Sequence, residues 1–361
     1  MRIALVSPYS WSVPGGVNAH VADLAVELRH RGHEVRVFGV SERTTPPGIV
    51  RIGRTTRIPI NAGIARIAIS PLLIGRMRVA LRRAQPDIVH IHEPFVSTIS
   101  LAALMTARAP VVATFHSGAT TNGYKRVRAI VQPLWDRITV RIAVSNAARG
   151  LVEEAFGPGA RIIPNGVDLD AFTRTGPAPE TKRVLFFGRL EARKGAQVLA
   201  SAWPDVVAAV PEARLTIAGD GALRPSLERD LEPYDVAFEG TFDRSRLIEL
   251  LEGHEIACLP AIGGESFGIT LIEAMAAKRP VVATAVPGYT SVIRSEQEGL
   301  LVPPLDPAAL AKALIHLLTD ADARARIAAG GRARAERFAW PRVTDEIEAA
   351  YEDARRAAPR A

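Results

Sequence analysis

Two carboxylates eight residues apart, Glu265 and Glu273, lie on a passage from an apolar run through Gly263-Gly264-Glu265-Ser266-Phe267-Gly268 into the helical pattern Ile269 to Ala277. A glycine turn between strand and helix aims free backbone N–H groups and the positive helix end at an anion, so a diphosphate fits there. Carboxylates accept hydrogen bonds from paired hydroxyls, which suits one of the two to a sugar and the other to a ribose. On the pair alone a second reading stands level with this one: Glu265 caps the helix and Glu273 is a solvated helix residue. Other residues offer related chemistry. Gly15 and Gly16 follow the first apolar run and let a phosphate or sugar approach the backbone. Arg189 and Lys194 follow another such run, at a helix start where positive charge opposes the helix dipole, which argues against two idle surface cations. His116 ends a β-rich run, where a lone histidine is more often structural. Glu255, ten residues before Glu265, is placed to help recognise a base, and an acid there favours guanine, whose N1–H and amino group both donate. Asp168-Leu169-Asp170 has a metal-binding spacing but falls at a domain junction, and Asp320-Ala321-Asp322 reads as a helix start, so no metal is expected.

The elements that must hold these residues alternate. Strands are expected at Arg2 to Val6, Glu34 to Val40, Ile88 to His92, Val111 to Thr114, Arg141 to Ser145 and Arg161 to Pro164, with helical stretches such as Asn18 to His30 between them. After a Gly- and Pro-bearing break the pattern restarts at Arg183 to Phe187, Arg214 to Ala218, Val236 to Glu239, Ile256 to Pro260 and Val281 to Ala283. This alternation predicts an α/β chain of two doubly wound parallel sheets, and 361 residues suit two domains. The boundaries expected are 1–170, a linker at 171–181, a second domain at 182–340, and a last helix at 341–361, begun near Pro341, that returns to the first domain. Ligands of such sheets bind beyond the carboxyl ends of the strands, in the cleft that two facing domains would make. No run approaches the roughly 20 apolar residues of a membrane span, and the lone Cys258 excludes an internal disulfide; a cytoplasmic location is the working expectation. Residues 1–170 hold 21 Lys and Arg against 11 Asp and Glu, although the whole chain is only +7, and Arg51 to Arg83 has eight arginines and no acid. That field suits an anionic surface or ligand. The scarcity of aromatics, 6% of the chain, argues against nucleic acid.

The run from Glu265 to Glu273, with Ser-Phe-Gly after the first Glu, resembles the signature of retaining glycosyltransferases of family 4, whose two Rossmann-like domains form the GT-B fold. Further matches lie across nearly the whole chain: Pro14-Gly15-Gly16-Val17, His90 to Pro94, Thr114-Phe115-His116, Ser145, Pro164 to Asp168, Gly188-Arg189-Leu190 with Lys194-Gly195, and Ala218 to Gly221. The resemblance implies that Arg189 and Lys194 neutralise a leaving diphosphate without a metal, and that His116 lies by the donor sugar. It also implies that Gly15, Gly16, Ser266, Phe267, Gly268, Ile269 and Glu273 join Glu255 and Glu265 on the donor, and that attack comes from the front face with retention. Within the family, Pro8-Tyr9-Ser10, Ile60 to Ile67 and Gly263 to Ala277 are similar to the phosphatidylinositol mannosyltransferases of actinobacteria. That likeness implies GDP-mannose as donor, an inositol lipid as acceptor held by Tyr9, Asn18 and Lys125, and a peripheral place on the inner face of the cell membrane. Val13 and Asn18 depart from the pattern. For membrane contact, Ser70 to Ala84 offers an apolar face of Leu73, Ile74, Met77, Ala80, Leu81 and Ala84 flanked by Arg76, Arg78, Arg82 and Arg83; packing of that face into a core is an equal alternative. The competing readings are a family 4 enzyme for a UDP-sugar with a soluble or polyprenyl acceptor, and a basic nucleic-acid-binding protein.

Overall fold

The computed structural model describes every residue except 14, 43, 61–62, 68–69, 117–121, 174–180 and 358–361, and the side chains of 56–60, 63–67 and 122–127 are likewise left aside. The side chain of Lys125 and much of the expected linker therefore fall outside what the structure describes. The chain divides into two compact units, Met1–Gly166 with Trp340–Ala361, and Val167–Ala339.

The first unit runs β1 (Arg2–Ser10), α1 (Gly16–His30), β2 (Glu34–Val40), β3 (Ile49–Gly53), β4 (Thr56–Ile60), β5 (Gly63–Ile67), α2 (Leu72–Ala84), β6 (Ile88–His92), α3 (Thr98–Thr106), β7 (Val111–Phe115), α4 (Asn122–Trp135), β8 (Ile138–Ala143), α5 (Asn146–Phe156) and β9 (Ala160–Ile162). Seven strands pair in parallel in the order β3-β2-β1-β6-β7-β8-β9, while β4 and β5 make a separate antiparallel hairpin. The strands IVHIH and VVATF are buried along their whole length, as parallel strands covered on both faces must be.

The second unit runs β10 (Arg183–Phe187), α6 (Ala196–Ala209), β11 (Arg214–Ala218), α7 (Arg224–Asp230), β12 (Val236–Gly240), α8 (Arg244–Gly253), β13 (Ile256–Leu259), α9 (Ile269–Ala276), β14 (Val281–Thr284), α10 (Pro287–Val292), β15 (Leu300–Val302), α11 (Pro307–Thr319) and α12 (Ala321–Ala335). Its six strands are parallel in the order β12-β11-β10-β13-β14-β15. In each sheet the order reverses once, between β1 and β6 and between β10 and β13. Loops leaving such a reversal point part to opposite faces and open a crevice at the carboxyl ends.

The last helix, α13 (Trp340–Ala357), belongs to the first unit. Trp340, Val343, Ile347, Ala350, Tyr351 and Ala354 lie on one stripe and enter the core formed by Ile3, Leu5, Leu24, Val112 and Ile142. Arg31 ties the helix down through Asp345 at 2.6 Å and Glu348 at 2.7 Å. Gly166 makes room for its start, since a Cβ there would enter the Trp340 ring.

Candidate active site

In the second unit the expected residues gather at the carboxyl ends of β10 and β13. Glu265 Oε1 lies 2.8 Å from Lys194 Nζ and 2.8 Å from Arg193 Nη1, with the carboxylate only 9% exposed. Arg193 also reaches Glu191 Oε2 at 3.0 Å, and the other oxygen of Glu191 takes Arg189 Nη1 at 2.7 Å. Three cations thus share two carboxylates, and the surplus positive charge suits an anionic ligand. Arg189 is the exposed end of this chain of charges and Lys194 the sheltered one.

Backbone geometry completes the second unit's site. Gly195 is left-handed at φ 76°, with its α-carbon against the carbonyl of Pro260, and Gly268 is left-handed at φ 101°, where a Cβ would lie 2.7 Å from the Tyr289 ring. Helices α6 and α9 start after these two glycines, and neither has a side-chain cap. Helix α1, which starts after Gly15 with Gly16 as its first residue, is uncapped in the same way. By contrast Ser97, Ser145, Asp243, Asp306 and Asp320 cap α3, α5, α8, α11 and α12. The glycine-led helices keep their first N–H groups available for a ligand. Because Gly268 is the N-cap of α9, Glu265 is not capping that helix. Ser266 is half-buried in the turn, Ile269 opens α9, and Glu273 is half-buried further along the helix.

In the first unit the carboxyl ends of β6 and β7 carry a stack of buried histidines. His90 and His92 stack at 4.4 Å, and His92 Nδ1 shares a hydrogen bond of 2.9 Å with His116 Nε2. His20, from α1, meets the His116 ring edge-on at 5.0 Å. The His116 backbone N–H donates to Glu93 Oε1 at 2.5 Å, and Glu93 holds a left-handed φ of 48° to make that contact. Burial pushes the His116 imidazole down to about 3, opposed by the adjoining Asn165 amide. Burial, with the neighbouring His116, takes His90 to about 3 and holds His20 and His92 well below the usual range. All four are therefore neutral near pH 7, and His116 can exchange hydrogen bonds with a hydroxyl but is no fixed cation. Among the described residues, His20, His92 and His116 form the group able to offer nitrogens to one ion, spread over as much as 4.8 Å. Of the three, His92 and His116 are hydrogen-bonded to each other, and His20 meets both rings edge-on.

Four expectations are corrected. Glu255 lies before β13, at the amino end of the sheet, where it accepts from Lys182 N at 2.8 Å and pairs with Arg324 at 3.4 Å; burial to 3% leaves it nothing to offer a base at the opposite end. Phe267 is buried edge-on against Phe338 at 5.5 Å, so only its backbone remains for a donor. Asn18 has its amide turned inward, donating to Ser10 O at 2.9 Å and accepting from Ser7 Oγ at 2.5 Å, and it braces the end of β1 instead of facing an acceptor. On α2, Leu73, Met77, Leu81 and Ala84 are core residues, so the apolar face is packed into the protein and the alternative of an interfacial face falls. What α2 leaves outside is Arg76, Arg78, Arg82 and Arg83 with Leu72 and Val79, the last two 70% and 47% exposed. Tyr9 is half-buried near the end of β1.

Residues 14–171 match the family described as Glycosyltransferase Family 4, and residues 181–320 the one described as Glycosyl transferases group 1. The phosphatidyl-myo-inositol mannosyltransferase of Mycobacterium leprae is 39% identical over 98% of this chain and 96% of its own. The chain belongs to glycosyltransferase family 4. A D-inositol 3-phosphate glycosyltransferase of Xylanimonas cellulosilytica is 30% identical over 94% of this transferase and 91% of the relative. Anabaena HepE, solved with UDP and glucose, superposes with a TM-score of 0.79 at 19% identity, covering 98% of this chain and 99% of that one. The transferase thus has the GT-B fold, two Rossmann-like domains with a C-terminal helix returned to the first. Sequence reasoning passed over Arg193, Glu93 and His20. Arg193 stood beside Lys194 without a motif of its own, and Glu93 sat inside HIHEP with no sign that its carboxylate turns back to a backbone N–H.

Proposed function

We propose that this transferase moves mannose from GDP-mannose to an inositol hydroxyl of a phosphatidylinositol-type lipid, with retention of configuration. The observation that carries this reading is the 39% identity that runs through both units to a phosphatidyl-myo-inositol mannosyltransferase. In it, Arg189, Lys194 and the N–H groups of the glycine-led helices stabilise the charge that grows on the departing diphosphate. Glu265 holds sugar hydroxyls, Glu273 the ribose, and neutral His116 a hydroxyl of the sugar undergoing transfer. The departing phosphate oxygen takes the acceptor proton from the same face, so no protein nucleophile is needed. Gly15 and Gly16 let substrate approach the first unit's backbone, while Tyr9 and Lys125 stand as acceptor contacts. The membrane surface is met by Arg76, Arg78, Arg82 and Arg83 together with exposed Leu72 and Val79. No helix of the described residues is long and apolar enough to cross a membrane. A location on the inner, cytoplasmic face follows from the supply of nucleotide-sugar.

The test is transfer of radiolabel from GDP-mannose to phosphatidylinositol vesicles, with UDP-sugars in parallel. A mannolipid product absent with Glu265→Ala supports the proposal, and no turnover of GDP-mannose overturns it. A second reading, in which the acceptor is a soluble inositol phosphate, is favoured by the 30% identity to the D-inositol 3-phosphate glycosyltransferase. Label appearing in a water-soluble product with no lipid present would select it.

A further inference from the structure

We infer that Tyr351 of the returning helix is a positioning residue for His116, acting through the histidine stack. The inference rests on the role just proposed for His116. The Tyr351 hydroxyl shares a 2.8 Å hydrogen bond with His90 Nδ1, and His90 Nε2 shares one of 2.7 Å with Thr114 Oγ1. From there two routes reach His116. Along the ring route, His90 stacks on His92 at 4.4 Å, and His92 Nδ1 meets His116 Nε2 at 2.9 Å. Along the backbone route, Thr114 O accepts from Glu93 N at 2.8 Å, and Glu93 Oε1 accepts from His116 N at 2.5 Å.

Tyr351, His90 and His92 are each wholly buried, so water cannot substitute for a lost partner without a cavity opening. A neutral imidazole has one donor and one acceptor nitrogen, and the partner of one nitrogen fixes the role of the other. Tyr351 and Thr114 bind both nitrogens of His90 and so hold its ring in one place. That ring is the floor on which His92 lies, and His92 fixes which nitrogen of His116 faces its neighbour. Trp340, at the other end of the same helix, packs on His20 at 5.1 Å and closes the stack from the side. A helix remote in sequence from His116 thereby sets the aim of its imidazole, and a misplacement of about 1 Å at such a group is worth about 100-fold in rate.

The experiment uses the full chain labelled with 15N-histidine, near pH 7.5, as wild type, Tyr351→Phe and Thr114→Val. Histidine→Gln substitutions taken singly assign the ring-nitrogen resonances. Both variants keep the shape of the residue and remove one hydroxyl. The expected result is a change in the ring-nitrogen shifts of His92 and His116 as well as His90, with kcat lowered about 10- to 100-fold and the KM for the donor unchanged. A purely structural tyrosine would lower the melting temperature and leave the His116 shifts and the kcat of the folded enzyme alone, and that result overturns the inference. Should Tyr351→Phe fail to fold, Thr114→Val decides on the same readouts. Absence of any turnover by the wild type with GDP-mannose sinks the proposed function alone, because the spectra still decide whether Tyr351 governs His116.

Discussion

Glu265 is held by two cations before any substrate arrives, Lys194 and Arg193 each at 2.8 Å. In the proposed reaction a diphosphate would compete for Lys194, and Arg193 would then keep the carboxylate in place. Glu265→Gln removes the charge with little change of shape, and transfer should fall about 100-fold, read as initial rates under saturating donor; undiminished transfer would remove Glu265 from the sugar site. Arg193→Met should cost less, with the loss falling on kcat more than on KM. The histidines set a pH dependence whose sign follows from burial. His20, His90, His92 and His116 have folded pKa values below the ordinary 6.5 or so. The unfolded chain therefore takes up more protons as pH falls through that value toward the depressed ones. The contribution to stability is whole above about pH 6.5 and is lost progressively below it, on the order of 5 kcal/mol for the four groups by pH 5.5. Urea unfolding at pH 7.5 and 5.5 measures it, and equal stabilities would mean that the stack is hydrated.

At the scale of elements, glycine leads three of the helices that lack a side-chain cap, α1, α6 and α9. Gly268→Ala places a methyl against Tyr289 at a left-handed φ, at about 2 to 4 kcal/mol, and donor affinity by calorimetry should fall with it. Helix α2 separates packing from surface. Met77→Ala should destabilise by about 2 to 5 kcal/mol, while Arg78→Ser with Arg82→Ser leaves melting unchanged and weakens anionic-vesicle binding by about 1 kcal/mol per arginine. Melting shifts and co-sedimentation with vesicles separate the two. Four interior strands were legible because they are rich in apolar residues: Glu34–Val40, Ile88–His92, Arg183–Phe187 and Arg214–Ala218 end where their composition says. Of the edge strands, Ala160–Ile162 and Val236–Gly240 were expected near where they lie, and two others were not. Ile49–Gly53 and Leu300–Val302 are short and lie at or near sheet margins, where one neighbour is missing and polar or glycine residues intrude. In α2 the apolar stripe was visible, but periodicity states only that a face is apolar, and the seven-stranded sheet beneath decides what covers it. Glu255 misled for a related reason. Its distance from Glu265 in sequence spans a whole strand, and so places the two at opposite ends of the sheet.

At the scale of the molecule, the chain leaves the first unit after Gly166 and re-enters it at Trp340, and the crossing segments touch where Val167 N donates to Phe338 O at 2.8 Å. Truncation after Ala339 removes six buried side chains from the first unit's core, and the shortened chain should be recovered in the insoluble fraction. A soluble, cooperative product would show that α13 is dispensable for folding. The returned helix also sets a timetable. On the ribosome the chain emerges from its amino end, and domains fold in that order. His90, His92 and His116 are therefore synthesised long before Trp340 and Tyr351, with the entire second unit made between. A nascent chain can assemble the Glu265 and Lys194 turn while its histidine stack still lacks a cover, which comes only once Trp340 and Tyr351 have been made.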